Sequence, residues 1–203
     1  MNLKEKPSSQ WIIIISVSCL GILLNCISFV KYENPSLANT PNPEFKEKKT
    51  ILLKYYGDYL RYGKHSTTYQ HLPLLKENMV DTLKDTNLFQ NVVVNENEPH
   101  DYVMYYESDF NDKSSVGLGI LSGLTFMLFP VSVDLDHNIK ISLYDTKNKL
   151  LASNQEKIYV EGYLGWLLIP VSPFFFSPVV EKKATRNVIF SALNDWKSKG
   201  IIR

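Results

Sequence analysis

"DHNIKISLYDTKNKLLASNQEKIYVEGY", residues 136–163, decides the fold. The segment reads as two strands around a turn near Lys147-Asn148, with apolar and polar residues alternating from Asn138 to Leu143, the period of two expected of a strand with one buried face. Lys147-Asn148 is a turn dipeptide between them. A hairpin centred near residue 147 sets Leu143 opposite Leu151, Ile139 opposite Gln155 and Leu135 opposite Tyr159. Continued, that register brings Val131 near Tyr163.

Working outward, each strand leads into a strongly apolar stretch, "SVGLGILSGLTFMLFPVSV" (115–133) before it and "LGWLLIPVSPFFFSP" (164–178) after it. The register makes both leave the hairpin at the same end. Three readings follow: the domain's own core, an exposed patch meeting membrane or partner, or two transmembrane helices over 116–133 and 162–180. Pro130, Pro170 and Pro173 and the β-like hairpin between oppose the last. The patch reading selects Leu121, Phe126, Phe129, Trp166, Leu168, Phe174, Phe175 and Phe176 as contact residues. Gly119 and Gly123 form the spacing that packs membrane helices.

Upstream, "TILLKYYG" (50–57) predicts a strand closed by Gly57, and "DYLRYGKHSTTYQ" a loop. Leu72, Leu75, Met79, Val80 and Leu83 predict an amphipathic helix over 71–86. "NVVV" (91–94) and "DYVMYYESDF" (101–110) predict further strands, and the first strand–helix–strand unit suits parallel pairing. Downstream, Val180, Ala184, Val188, Ala192 and Trp196 share one face of a final helix, with Ser177 as N-cap and Pro178 at its first position. The expected fold class is α/β (α+β): a small, mostly antiparallel sheet of about five strands with two helices on one face.

The stretch before Cys26 reads differently. Lys4 and Lys6 precede an uncharged run from Trp11 to Leu24. A basic start and an apolar core of roughly 7–15 residues are the layout of an export signal. Leu23-Leu24-Asn25-Cys26 resembles the lipobox of bacterial lipoproteins, in its looser spirochaete form that admits Asn before the cysteine. Cys19 fits less well, since Ser16 stands where an apolar residue belongs. The expected organisation is a lipoprotein signal peptide at 1–25, a lipid-anchored flexible tether at 26–49 rich in Pro, Asn and Ser, and one domain at 50–203. The competing reading keeps Trp11 to Val30, uncharged throughout and long enough to span a bilayer, as an uncleaved transmembrane anchor.

Composition bounds the function. Of the 203 residues 44% are apolar, so the body is globular. Removal of residues 1–25 takes two lysines and one glutamate from a chain of net charge +1, leaving 20 basic and 20 acidic residues. That balance gives no footing for nucleic-acid binding. No cysteine follows Cys26, so the body has neither disulfide nor thiolate metal site. Gly117-Leu118-Gly119 lacks the third glycine of a dinucleotide loop. Asp134, Asp136 and His137 are the one grouping a metal-dependent hydrolase could use. The tyrosines at 55, 56, 59, 62 and 69 are dense enough to suggest a sugar or peptide surface.

The run "LSGLTFMLFPVSVDLDHNIKISLYDTKNKLL", then "GWLLIPVSPFFF" and a last amphipathic helix, resembles a family of uncharacterised small bacterial, spirochaete-like lipoproteins. Leu121, Ser122, Leu124, Thr125, Pro130, Trp166, Leu167, Pro173 and Phe174 carry the likeness, over about residues 100–198. The first half is more loosely similar to periplasmic domains of the TolB amino-terminal kind. The resemblance implies envelope residence, no catalytic residues and no cofactor. The expectation is a non-enzymatic lipoprotein held by acylated Cys26, in the outer rather than the inner membrane. Its partners would be the lipid bilayer and an envelope protein. The alternatives are an integral membrane protein of about three spans and the hydrolase.

Overall fold

The computed structural model describes residues 26–65 and 72–202, leaving side chains aside at 72–76, 78 and 172. Cleavage of the signal peptide falls outside them. Seven strands form one mixed sheet: β1 (Cys26–Tyr32), β2 (Thr50–Arg61), β3 (Lys64–His65), β4 (Asn91–Val93), β5 (Tyr102–Asp112), β6 (Val131–Asp145) and β7 (Leu150–Leu164). The order across the sheet is β1-β7-β6-β5-β2-β3, with β4 also on β2. Among the described residues there are three α-helices: α1 (Leu72–Asp85), α2 (Val116–Leu124) and α3 (Ser177–Ser198). The class is α+β, with more strands than the sequence suggests and two parallel pairings, β2 with β4 and β2 with β5.

The hairpin forms as its alternation requires, one residue out of the expected register. Leu143 faces Ala152, Ile139 faces Glu156, Leu135 faces Val160 and Val131 faces Leu164. The cause is an irregularity between Leu143 and Tyr144, which adds one residue to β7 beside the turn. Asn148 turns the chain in the left-handed region, and Asp145 Oδ1 accepts from the amides of Lys147 and Lys149.

The β2 strand does not stop at Gly57. It runs to Arg61, parallel to β5 from Ile51–Tyr102 to Arg61–Asp112. Its polar second half has one face on solvent, so no run of apolar residues announces it. Tyr62 and Gly63, both at positive φ, then make a two-residue turn into β3.

One sheet face carries the core. Ile51, Leu53, Met104, Tyr106, Ile139, Ile141, Leu143, Ile158 and Val160 alternate inward on their strands. Met79 and Leu83 of α1 and Ala184, Val188, Ile189, Ala192, Leu193 and Trp196 of α3 pack on them. These two helices share a face, as their apolar spacing predicts. Ser177 does not cap α3: Phe176 holds that position, and the Ser177 hydroxyl turns to β1.

The expected flexible tether is ordered structure instead. Residues 26–32 form β1, paired along its whole length with β7 from Cys26–Leu164 to Tyr32–Ile158. A 3-10 turn, Pro35–Asn39, follows, with Leu37 wholly buried in the core. Side chains of α3 then strap the chain down: Asn194 Nδ2 donates to the Pro41 carbonyl at 2.8 Å and Lys197 Nζ to that of Glu44 at 2.6 Å. Proline and asparagine deny this segment regular structure, but the straps supply the partners its backbone would otherwise take from water.

Candidate functional site

Leu164 pairs with Cys26 on one side and Val131 on the other, so these three residues form one row at the end of the sheet. Both apolar stretches lie beyond that row. Cys26 is therefore paired within the sheet at its apolar end. Its Sγ is half-buried, 2.9 Å from Ser177 Oγ, which is itself 2.6 Å from Ser28 Oγ. The chain before α3 closes over the edge of β1: Ser28 N donates to the Phe175 carbonyl at 2.9 Å, and Phe29 and Phe175 rings meet at 5.1 Å.

The stretch 115–133 begins as α2, whose first turn is satisfied by Ser115 Oγ accepting from Leu118 N. Phe126 and Met127 both adopt left-handed backbone, and Met127 N returns to the Ser122 carbonyl at 2.7 Å. This reversal ends the helix and leaves Phe126 83% exposed. The second stretch docks on it: Trp166 Nε1 donates to the Phe126 carbonyl at 2.8 Å and Trp166 N to that of Met127 at 3.3 Å. Gly165 permits this closeness, since a Cβ there would lie 3.0 Å from Pro130 Cα. Four 3-10 bonds tie the segment together, from the amides of Leu168, Ile169, Val171 and Phe174 to the carbonyls three residues before them.

The helix α2 is inside-out. Ser122 is its buried residue, while Val116, Leu118, Ile120, Leu121 and Leu124 are exposed, Leu124 to 75%. A globular surface helix ordinarily does the reverse. Of the eight expected contact residues, Leu121, Phe126, Phe129, Trp166, Phe174 and Phe175 are exposed. Leu168 and Phe176 are half-buried, Phe176 bridging to Ile27. Exposed residues outside that set include Ile120, Leu124, Leu128 and Leu167. Their signal was available, since α2 has apolar residues all round and no polar face to give to water. The reading of both stretches as domain core therefore fails for most of their large side chains. Exposed large apolar side chains thus crowd two segments that touch through Trp166, unlike leucines scattered singly over a surface. Neither stretch holds a charged residue: none occurs at 115–133 or at 164–180.

Two other expectations end here. No helix among the described residues is long and apolar enough to cross a membrane, and α2 has only 9 residues, which removes the spans at 116–133 and 162–180. A Cβ on Gly119 or Gly123 would meet nothing within 4 Å, so none of the described helices packs there. The hydrolase grouping is also dispersed. Alternation puts Asp134 and Asp136 on the open face of β6 and His137 on the helix face. Asp136 bonds Lys113 at 2.7 Å and lies 3.4 Å from Lys157. Burial works to raise its pKa, but those two lysines outweigh it and hold the carboxyl below its usual range. His137 stacks on Phe110 at 3.9 Å, with Nε2 2.6 Å from Ser108 Oγ, and burial pushes its pKa down to about 3. The tyrosines divide likewise: Tyr55 stacks on Tyr106 on the helix face, Tyr56 on Tyr105 on the open face. Tyr69 lies outside the described residues.

No family model and no curated protein matches the chain. Among solved structures it is similar to a PelC variant, crystallised as a dodecamer, from Paraburkholderia phytofirmans. Identity there is 11% and the TM-score 0.34, over 80% of this chain and 98% of that one. A second PelC dodecamer from the same organism gives 10%, 0.30, 80% and 99%. A protein assigned as a lipoprotein from Caulobacter crescentus CB15 gives 13% and 0.33, over 71% of this chain and 91% of that one. At these TM-scores none of them argues for a fold or a function.

Proposed function

We infer that this chain is a non-enzymatic lipoprotein of the bacterial cell envelope, acylated on Cys26 and acting by contact through its apolar end. The reading extends to the outer rather than the inner membrane, and to a protein partner in the envelope. One observation carries it: the cysteine that ends an export-type leader is paired in β1 with Leu164, the last residue of β7, beside the exposed apolar residues. An anchor there leaves the rest of the domain free to project from the membrane. Acyl chains suit the role because each buried methylene contributes ~0.8 kcal/mol, so two or three chains hold a protein firmly where one does not.

The test is intact mass and metabolic acyl labelling of the native protein beside Cys26→Ala. The expected result is a mature protein lacking residues 1–25, with acyl chains on Cys26, and loss of label in the variant. A native protein that retains Met1 and carries a bare Cys26 overturns the reading.

A further inference from the structure

We propose that the apolar end is seated in the same bilayer that holds Cys26, with α2 and the 166–175 segment lying in its interface as a second point of attachment. The inference rests on the anchor reading for the identity of that membrane, and requires only that the chain meet a bilayer at Cys26.

Slack in the chain is what decides it. Were 26–49 a flexible tether, the domain could stand off by roughly 27 Å in any orientation. Cys26 is instead already paired with Leu164. Chain geometry then leaves about one residue step, ~3.8 Å, between the end of the sheet and the point where the chain enters lipid. The residues beside that point have no choice of neighbour. Phe126, Phe174 and Leu167 protrude at that end, 83%, 79% and 70% exposed.

Their chemistry fits the acyl boundary. With no charge at 115–133 or 164–180, entry desolvates no ion. Part of the backbone that would enter is already bonded within the chain, by the Ser115 cap, the return to Ser122 and four 3-10 bonds, which lowers the cost of entry. The inside-out pattern of α2, with serine inward and leucines outward, suits hydrocarbon and not water. With so little basic charge, the contact would be indifferent to anionic lipid and to salt, unlike polybasic membrane binding.

The experiment uses the full-length acylated protein in phosphatidylcholine vesicles. An environment-sensitive dye is placed on cysteine at Leu128→Cys, Phe174→Cys or Lys147→Cys, and lipid-borne nitroxide is the quencher. Lys147 lies at the far turn of the hairpin, a whole strand length from the apolar end. The expected result is loss of most emission at 128 and 174 and none at 147, unchanged by molar salt. Emission at 128 and 174 as insensitive to nitroxide as at 147 overturns the seat, whether those sites are wet or shielded by a protein. Intact mass of the same samples separates the two readings. Lipid contact with a bare Cys26 removes the acyl anchor and keeps the seat; acylation without contact does the reverse.

Discussion

Leu37→Ala is the sharpest test of whether residues 26–49 belong to the domain. Leu37 has no accessible surface and joins the core through the 3-10 turn that follows β1. Truncation to alanine removes the equivalent of three methylenes, ~2.4 kcal/mol of transfer free energy at ~0.8 each. The hole left behind adds to this, and buried leucines truncated in this way lose about 2.7–5 kcal/mol. The site has rigid walls in β1 and α3, so partial collapse is the best it can do and about 3 kcal/mol is expected. At a urea dependence of roughly 2 kcal/mol per molar, the midpoint falls by about 1.5 M. Tryptophan fluorescence suits the assay, because Trp196 is fully buried and its Nε1 donates to Asn154. Both proteins are compared in one detergent. A loss below about 0.5 kcal/mol, the range of an ordinary surface change, refutes the packed segment and restores a detached tether.

Acid should find His137. Its folded pKa, near 3, lies below the ordinary value of 6.5, so the unfolded chain takes up a proton on acidification before the folded one does. Stability is therefore complete above pH 6.5 and falls toward pH 3, by up to ~1.4 kcal/mol per pH unit. Denaturation series from pH 6.5 down to about 4.5 should slope in wild type and flatten in His137→Gln; equal slopes refute the assignment. The glycines of the apolar end should divide. In Gly165→Ala a new methyl would lie 3.0 Å from Pro130 Cα and 3.2 Å from the Met127 carbonyl oxygen, so backbone on the facing segment must shift. It should cost about 1–3 kcal/mol and speed hydrogen exchange at the Trp166 amide. Gly119→Ala and Gly123→Ala meet open space and should be neutral or stabilise by up to ~1 kcal/mol through helix propensity. Destabilisation by either would restore a helix partner at that face.

The elements most legible in the sequence are those whose period is imposed by a single buried face. Ile139, Ile141 and Leu143 alternate with polar residues because β6 buries one side, and Ala184, Val188, Ala192 and Trp196 recur because α3 buries one stripe. The second half of β2 was illegible for the complementary reason. Its pairing is by backbone, and Asp58 and Arg61 serve it as well as any apolar residue would. The one-residue register error has a similar origin, since the extra residue beside the turn is a local backbone event with no side-chain signature. In the candidate site the sequence supplied Cys26 and both apolar stretches, but composition does not distinguish an apolar residue facing the core from one facing outward.

Sequence alone therefore determined which segments are apolar, where the leader-like run ends, and that the hairpin sends both stretches to one end. Those are properties of local pattern and chain connectivity. Only the tertiary structure decided that Cys26 is already paired in β1, opposite Leu164, and that Leu124, Phe126 and Phe174 are left exposed. Both depend on which surfaces the rest of the chain has already covered. Edge pairing with β7 claims residues 26–32, and α1 and α3 fill the helix face, so nothing in the described structure remains to bury the apolar end.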